Sequence, residues 1–350
     1  MIRIDEIYYN VFLQALQHRK KVGLHWFDPF GSTDFSDICS QPPVDGVADL
    51  RIIFWDQEPL YRDRAKNFFD QFCGTYQGPK IVVTSEINSK DVAWVCDTYE
   101  LKHAYYFFHG WAALDWYRGY NYSYLGRPWI EKSFQHKLLC ANNIIGGERA
   151  HRLKVIAGLA ERNLIENNMI SCPQVCPFEG KSFEELCNSH GISAPSELTL
   201  PLIIDHEKNH AGSSHKIDFW TQANSSFCHV VTETVYGSDR VHLTEKTFKP
   251  IVLQQPFLLV APQGSLAYLR NYGFKTFGDI WDETYDELPD DQRISAVLDI
   301  CKEINQWDDA KLSFMQKKIA TVVEHNYQWF YGGFRDLLWQ ELTAMITPWQ

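Results

Sequence analysis

Short apolar runs recur along the chain, and most of them are followed by a polar loop and then by a helical pattern. The β-rich runs occupy residues 51–55, 80–84, 104–108, 137–141, 228–233 and 256–261. Residues 150–163 and 265–272 carry apolar side chains close to the helical period, and Gly273 can cap the second helix. Strands that alternate with helices predict parallel sheets covered on both faces, which is an α/β fold.

The length of 350 residues suggests about two domains at roughly 150 residues each. Residues 120–134 contain many turn formers and no periodic pattern, so we place the boundary near residue 130. The predicted domains are residues 1–130 and 131–325, and the segment 326–350 has the apolar spacing of a helix. Because open parallel sheets bind ligands beyond the carboxyl ends of their strands, two such domains predict a cleft between them.

Charge and hydropathy exclude several classes of protein. The net charge is 33 − 44 = −11, which argues against a basic nucleic-acid coat but leaves room for a small cationic pocket. No apolar stretch reaches the roughly 18 residues that cross a bilayer, so we expect no membrane partner. The N-terminus lacks the order of a signal peptide, which predicts a cytoplasmic protein.

The cysteines give little sign of a metal site. Their number, nine, is odd, and most lie in apolar contexts typical of reduced, buried thiols. Cys172 and Cys176 form a close pair in SCPQVCP, but no second pair at zinc-finger spacing accompanies them. We therefore expect no metal ligands, although the role of this pair stays open.

The densest polar cluster is the run HLTEKTFK at residues 242–249, which follows an acidic turn around Glu233. Thr244 can cap a helix there, while the backbone N–H groups and Lys246 suit a diphosphate. The carboxylate of Glu245 suits two vicinal ribose hydroxyls. An ordinary capped surface helix would explain the same residues. Pro250 would kink such a helix or destabilise it by about 3 kcal/mol.

The run VVTETVYGSDRVHLTEKTFKPIVLQQP at residues 230–256 resembles the donor-nucleotide element of the α-1,3-fucosyltransferase family. Upstream, a strand, Asn142, a loop and Arg152 at a helix start resemble that family's strand, Asn and Arg element, and Arg152 fits better than Arg149. The chain looks still more like the fucosyltransferase-like glycosyltransferases of large tailed phages, through LTEKTFKPI, GFKTFGDIWDETYD and HRLKVIAGLAERNL. The resemblance extends from about Lys137 to Asp286.

The resemblance implies a GT-B fold, with two Rossmann-like domains whose parallel sheets face a central cleft. In that fold the C-terminal domain holds the nucleotide sugar, and the last helix commonly crosses back to the first domain. The implied reaction moves a sugar to an acceptor hydroxyl of a glycan or of a modified DNA base. We expect it to be inverting and metal-independent, with the nucleotide sugar as co-substrate and no other cofactor. If the protein is viral, its compartment is the host cytoplasm.

Negative charge grows on the departing diphosphate, so cations that strengthen with it lower the barrier. Lys246 and Arg152 are the main candidates. Glu245 would hold the ribose, and Glu233 would face the sugar or act only as a turn carboxylate. The predicted donor-binding set is Asn142, Arg149, Arg152, Thr244, Glu245, Lys246 and Lys249.

On the acceptor side, the run Asp56-Gln57-Glu58-Pro59 follows the apolar run 51–55. An inverting transferase needs a carboxylate that takes the acceptor's proton, and Glu58 is our candidate, with Asp56 in reserve. Glu86 and His109 follow neighbouring strands and would line the same cleft, although His109 also suits a wall position. A strand-end turn, or the Asp-x-Glu manganese site of GT-A transferases, would explain the carboxylates differently.

A second class of function stays open. The chain could be a non-catalytic protein that keeps the nucleotide-sugar fold for binding or as a virion structural component. A purely structural descendant would have no physical need for the phosphate cations, so the presence of Glu245, Lys246 and Arg152 favours an enzyme.

Overall fold

The computed structural model describes residues 7, 12, 22–26, 39–41, 48–118, 133–204, 217, 220–237 and 239–349. They form two compact units. The first comprises Met1–Asp115, Asp239–His242 and Arg335–Gln350, and the second comprises Trp116–Ser238 and Leu243–Phe334. Most of the predicted boundary stretch lies outside the described residues, so the limits at residues 130 and 325 stay predictions.

The first unit contains a sheet whose five described strands lie in the order β2-β1-β3-β4-β5. All neighbouring pairs are parallel except β1 with β2, which are antiparallel. The strands are β1 (Val22–Trp26), β2 (Cys39–Gln41), β3 (Leu50–Trp55), β4 (Lys80–Thr84) and β5 (Lys102–Tyr105). The carboxyl ends of β1, β3, β4 and β5 therefore share one edge.

Helices α1 (Arg62–Thr75), α2 (Lys90–Tyr99) and α3 (Phe108–Trp116) follow β3, β4 and β5. The core beside α1 is aromatic, because Phe68, Phe69 and Phe72 are fully buried there. Helix α2 begins where the Ser89 side chain accepts a hydrogen bond from the Val92 backbone N–H.

The second unit contains a parallel sheet whose described strands lie in the order β7-β6-β8-β9. The strands are β6 (His136–Cys140), β7 (Met169–Ile170), β8 (Ser226–Thr232) and β9 (Phe257–Val260). Strand β8 is central and buried along its whole length. A strand buried on both faces is typical of a parallel sheet between helical layers.

Helices Trp220–Ser225, Glu245–Val252 and Asp290–Asn305 pack against strands of this sheet, and the described helices continue to the C-terminal region. They are α4 (His151–Glu161), α5 (Phe183–Ser189), α6 (Trp220–Ser225), α7 (Glu245–Val252), α8 (Ser265–Asn271), α9 (Asp290–Asn305) and α10 (Asp309–Tyr331), and α11 (Gly333–Ile346) passes from the second unit into the first. The predicted α/β class is confirmed by the two sheets. The relative placement of the sheets around a cleft stays a prediction.

Two predicted elements need correction. The apolar run 104–108 is not one strand, because β5 ends at Tyr105 and α3 begins at Phe108. The C-terminal pattern belongs to two helices rather than one that begins near residue 325, since α10 already begins at Asp309 and ends beside Gly332. Strands β1, β2 and β7 were not predicted from the sequence.

Within the part of the chain that the structure describes, none of the helices is both long enough and apolar enough to cross a bilayer.

Candidate functional site

The carboxylate of Glu233 lies at the carboxyl end of β8 and is fully buried. One oxygen accepts hydrogen bonds from the Thr244 backbone N–H at 3.1 Å and the Thr247 hydroxyl at 2.6 Å. The other accepts from the Thr244 hydroxyl at 2.5 Å and the Thr234 backbone N–H at 3.2 Å. A buried carboxylate is stable only when it is hydrogen-bonded in this way, so Glu233 fixes the start of α7 to the end of β8.

Thr244 is the N-cap of α7, as the sequence predicts. Its hydroxyl oxygen donates to Glu233 and accepts from the Lys246 backbone N–H at 3.4 Å. Helix α7 continues through Pro250 and ends two residues later at Val252. The helix thus tolerates the proline near its C-terminal end, where few hydrogen bonds follow.

The ammonium group of Lys246 is the partly exposed cation at this helix start. It lies 2.8 Å from the Glu245 carboxylate, 3.2 Å from the Thr234 hydroxyl and 3.3 Å from the Thr244 hydroxyl. The Lys246 side chain is 29% exposed, whereas that of Glu245 is 5% exposed. The cation is therefore held in place by three oxygen atoms while part of it faces solvent.

Arg152 lies in the first turn of α4, and its guanidinium is buried. It donates to the carbonyl oxygens of Ile144 at 2.8 Å, Thr232 at 3.0 Å and Glu233 at 3.1 Å. Burial and the charge of Arg149 lower the pKa of Arg152 to about 10, so it stays cationic at neutral pH. Its positive charge thus lies next to the backbone at the carboxyl end of β8.

Arg149 and Lys249 are both more exposed than Arg152. Arg149 ends a short 3-10 turn that begins at Gly147, whose φ of 57° lies in the left-handed region that favours glycine. Lys249 lies one turn after the start of α7, and its charge contributes, after burial, to lowering the pKa of His229 to about 3. Arg149 is thus the more accessible of the two arginines, and the preference for Arg152 drawn from the sequence stays a prediction.

Asn142 follows β6 and is buried. Its amide oxygen accepts from the Thr232 hydroxyl at 2.7 Å, and its backbone N–H donates to the Ser171 hydroxyl at 2.9 Å. The first bond joins the ends of β6 and β8, and the second joins the end of β6 to the residue after β7. In this structure Asn142 supports the strand ends rather than presenting its side chain to solvent.

In the first unit, the run from Asp56 follows β3 as predicted. Asp56 is buried and accepts a hydrogen bond from the Tyr106 hydroxyl at 2.6 Å, whereas Glu58 is partly exposed. Of the two candidate bases, Glu58 therefore has the accessible side chain. Asp56 anchors the loop to the residue that follows β5.

Glu86 and His109 lie beyond the ends of β4 and β5, as predicted, but both side chains are buried. Glu86 pairs with Arg240 at 2.9 Å, and burial raises the pKa of Glu86 to about 7 even though Arg240 opposes the shift. The Nε2 of His109 donates to the Gln57 carbonyl at 2.9 Å. Both residues thus contact the loop that follows β3, Glu86 through the Leu60 backbone N–H and His109 through the Gln57 carbonyl.

Sequence reasoning missed three residues of these networks: Thr247, His151 and Arg240. Thr247 lies three residues after Thr244, which places both hydroxyls on one helical face, so its position was a usable signal. The sequence around His151 carries no comparable local signal. Its Nε2 donates to the Glu233 carbonyl at 3.1 Å, and its ring stacks on Tyr236. Burial first, and then the charge of Arg152, lower the pKa of His151 well below its usual value.

The cysteine pair shows no metal-binding arrangement. Cys172 and Cys176 are buried and unbridged. Among the described residues, no group of three or more His, Cys, Asp or Glu side chains is placed to hold a metal ion.

No family model matches the chain, and no curated protein matches it. One solved structure, described as the DNA-modifying enzyme β-glucosyltransferase in the presence and absence of the substrate uridine diphosphoglucose, matches with a TM-score of 0.39 and 7% identity. The match covers 86% of this chain and 74% of that chain. A TM-score this low carries no functional argument, so the α/β class rests on the sheets themselves and the resemblance to fucosyltransferases stays a prediction.

Proposed function

We propose that the chain is a glycosyltransferase that binds a nucleotide sugar at the start of α7 in the second unit. The observation that carries the proposal is the partly exposed Lys246 side chain at the carboxyl end of β8. Its ammonium group is held by the hydroxyls of Thr234 and Thr244, and the Thr244 hydroxyl also donates to Glu233. Ligands of open parallel sheets bind at this edge, and a helix N-terminus favours negative charge.

In this proposal Lys246 contacts the diphosphate directly and stabilises the charge that grows on it as the sugar leaves. Arg149, which is more exposed than Arg152, is the proposed second cation. Arg152 contributes its positive charge without touching the diphosphate, because its guanidinium is already bonded to three carbonyl oxygens. Lys249 adds positive charge one turn further along α7.

Glu245 and Glu233 then have different roles. A diphosphate would compete with Glu245 for the Lys246 ammonium, which would free the Glu245 carboxylate to accept from ribose hydroxyls. Glu233 is a positioning residue that orients the Thr244 hydroxyl, because its buried carboxylate has four donors and no exposed surface. In this proposal Glu233 does not contact the sugar, unlike the expectation from the sequence.

On the acceptor side we propose Glu58 as the general base of an inverting, metal-independent transfer. Its carboxylate would take the proton of the acceptor hydroxyl as the oxygen attacks the anomeric carbon. Asp56 holds the loop through Tyr106.

The proposed donor site is tested by the thermal stability of the protein with a panel of nucleotides. A ligand that binds only the native state raises its stability by about 2.7 kcal/mol at a concentration of 100 times its Kd. We expect a rise in melting temperature with one of GDP, UDP, TDP, ADP or CMP. A flat response to all five would contradict the proposal.

The acceptor is a glycan or a modified base in DNA. A salt-sensitive gel shift on duplex DNA would favour the DNA base, because contacts with phosphates weaken as salt rises. An enzyme that reads a flipped base needs only a local basic groove, so the net charge of −11 does not decide between the two acceptors.

A further inference from the structure

The backbone of Leu60 is held on both sides by a buried ion pair. Its N–H donates to Glu86 Oε1 at 2.5 Å, and its carbonyl oxygen accepts from Arg240 Nη1 at 2.7 Å. The same Nη1 donates to Glu86 Oε2 at 2.9 Å. Leu60, Glu86 and Arg240 thus form a closed ring of hydrogen bonds, which we name the Leu60 clasp.

The clasp is almost completely removed from solvent, with side-chain exposures of 2% for Arg240 and 1% for Glu86. Arg240 also bonds Asp91 at 2.7 Å and Asp239 at 2.8 Å. Removing charges from water is costly, so a buried pair is weak evidence for stability and is better explained by the geometry that it enforces.

The segment that carries Arg240 is itself fixed to the first unit. Val241 forms an antiparallel bridge with Ile87, and the Lys90 N–H donates to the Asp239 carbonyl at 3.2 Å. The guanidinium therefore has a rigid support, and it transmits that rigidity to Leu60.

The clasp also completes the anchoring of the loop after β3. Asp56 is bonded by Tyr106, the Gln57 carbonyl is bonded by His109, and Leu60 is held by the clasp. Glu58 lies between these anchored residues, and its side chain is partly exposed. Pro59 further restricts the backbone next to it, because its ring fixes φ.

We propose that Glu86 and Arg240 are positioning residues for Glu58, acting through the backbone of Leu60. The inference rests on the proposed function only in the role of Glu58; the clasp itself is a property of the loop. Because a small misplacement of a catalytic group lowers the rate steeply, the clasp affects turnover rather than donor affinity.

The first test measures the loop directly by hydrogen exchange with mass spectrometry on peptides that cover residues 57–61 of the full chain. Pro59 has no amide hydrogen, so the Leu60 amide is a large part of the signal. We expect Glu86→Gln to speed exchange here and Glu86→Ala to speed it more, while β3 exchanges as in the unsubstituted protein. Unchanged exchange at Leu60 in Glu86→Gln would overturn the proposal whatever reaction the protein catalyses.

The second test measures sugar transfer under steady-state conditions. We expect Glu86→Gln to lower kcat by about 10- to 100-fold with the donor KM unchanged. Asp299→Asn is the matched control, because it removes a carboxylate from the exposed pair with Arg162 at 3.0 Å and should leave kcat unchanged. A kcat equal to that of the unsubstituted protein, or a loss that appears only as a higher donor KM, would contradict the positioning role.

The two proposals fail in different ways. If the unsubstituted protein transfers no sugar, the proposed function fails, while the exchange result still decides whether the clasp holds the loop. If transfer occurs and Glu86→Gln leaves kcat intact, only the positioning role fails. Glu86→Gln keeps the size of the side chain, so it tests the clasp even if Glu86→Ala does not fold.

Discussion

Among single residues, the predicted cations differ in how much of each reaches solvent. The Lys246 side chain is 29% exposed, whereas Arg152 is 4% exposed and is bonded to carbonyl oxygens. A charged group that touches a ligand must be accessible, while a buried charge acts at longer range through a medium of low dielectric constant. The two residues therefore predict different consequences on substitution.

Lys246→Ala should weaken binding of the nucleoside diphosphate by about 10- to 100-fold, because a hydrogen bond to a charged group contributes about 1.5–3 kcal/mol. Isothermal titration calorimetry measures the change. Lys154→Ala is the matched control, since Lys154 is an exposed lysine of α4 for which the structure shows no contact with this site among the described residues. Equal affinities of Lys246→Ala and the control would refute the direct contact.

Glu86 predicts a specific pH dependence of stability. Burial raises its pKa from 4.5 to about 7, so the folded protein binds more protons than the unfolded chain between these values. The contribution of Glu86 to stability is therefore fully present below about pH 4.5 and is lost as the pH rises through 7. Arg240 bonds the Glu86 carboxylate directly, and Asp91 and Asp239 bond Arg240. His103 reaches only the Glu86 backbone, through the Thr84 hydroxyl, and His242 donates to the adjacent Ser85 carbonyl.

The measurement is urea unfolding of the unsubstituted protein and of Glu86→Gln from pH 4.5 to 8. The difference in unfolding free energy between them should fall as the pH rises to 7 and then become constant. Taking this difference removes the opposite contribution of buried histidines such as His151, whose lowered pKa destabilises the fold as the pH falls. A difference that rises with pH over this range would show that the Glu86 pKa is not raised.

Among the structural elements, the junction of β8 with α7 determines the geometry of the proposed donor site. Glu233 at the strand end binds Thr244 and Thr247 at the helix start, so its carboxylate joins the helix directly to the strand. The pair differs from an ordinary surface cap, because the acceptor is a buried carboxylate of another element.

Thr247→Val keeps the shape of the side chain and removes one donor to the Glu233 carboxylate. We expect a loss of about 1–3 kcal/mol in unfolding free energy, because the buried Glu233 carboxylate loses one of its four hydrogen-bond donors. Thr343→Val is the matched control: its exposed hydroxyl donates to the Trp339 carbonyl, and its replacement should change stability by about 0.5 kcal/mol or less. Chemical denaturation of both variants measures the difference, and equal losses would show that the junction contributes nothing special.

The sequence predicted the elements whose signals are local. A short-range capping pattern predicts the N-cap at Thr244. Short apolar runs predict strands β4 and β6. The error at residues 104–108 has a physical cause, because aromatic residues pack equally well in a buried strand and in a buried helix such as α3.

The networks of the site depend on contacts that no local pattern encodes. Arg240 and Glu86 are 154 residues apart in the chain, and Thr232 and Asn142 are 90 residues apart. The burial of a side chain could not be predicted from the sequence either. Arg152 has the charge expected of a phosphate ligand, but only the fold shows that its guanidinium donates to backbone carbonyl oxygens. The roles predicted from the sequence for these residues stay predictions, and the burial of Arg152, Asn142 and Glu86 is what the structure adds to them.

At the scale of the whole molecule, the proposed functions divide between the units. The donor residues belong to the second unit, and Glu58 belongs to the first. Nucleotide binding should therefore need only the second unit, whereas transfer should need residues of both. The net charge of −11 fits this division, because the cations required at the donor site are few and local.

Glu58→Ala should accordingly abolish most sugar transfer while leaving nucleotide affinity unchanged. Loss of a general base lowers the rate by about 100- to 10,000-fold. Steady-state transfer kinetics and calorimetry on the same preparation measure the two properties. If transfer continues at the original rate, the base is another residue, even though the class of reaction can still be correct.

The most direct test of the central claim is the release of free nucleotide from a panel of nucleotide sugars, followed over time with and without acceptor. We predict that the purified protein releases nucleotide from one donor, that acceptor speeds the release, and that Lys246→Ala loses it while Lys154→Ala does not. Binding of a nucleotide without any release would indicate the non-catalytic alternative. Neither binding nor release with any donor would contradict the account as a whole.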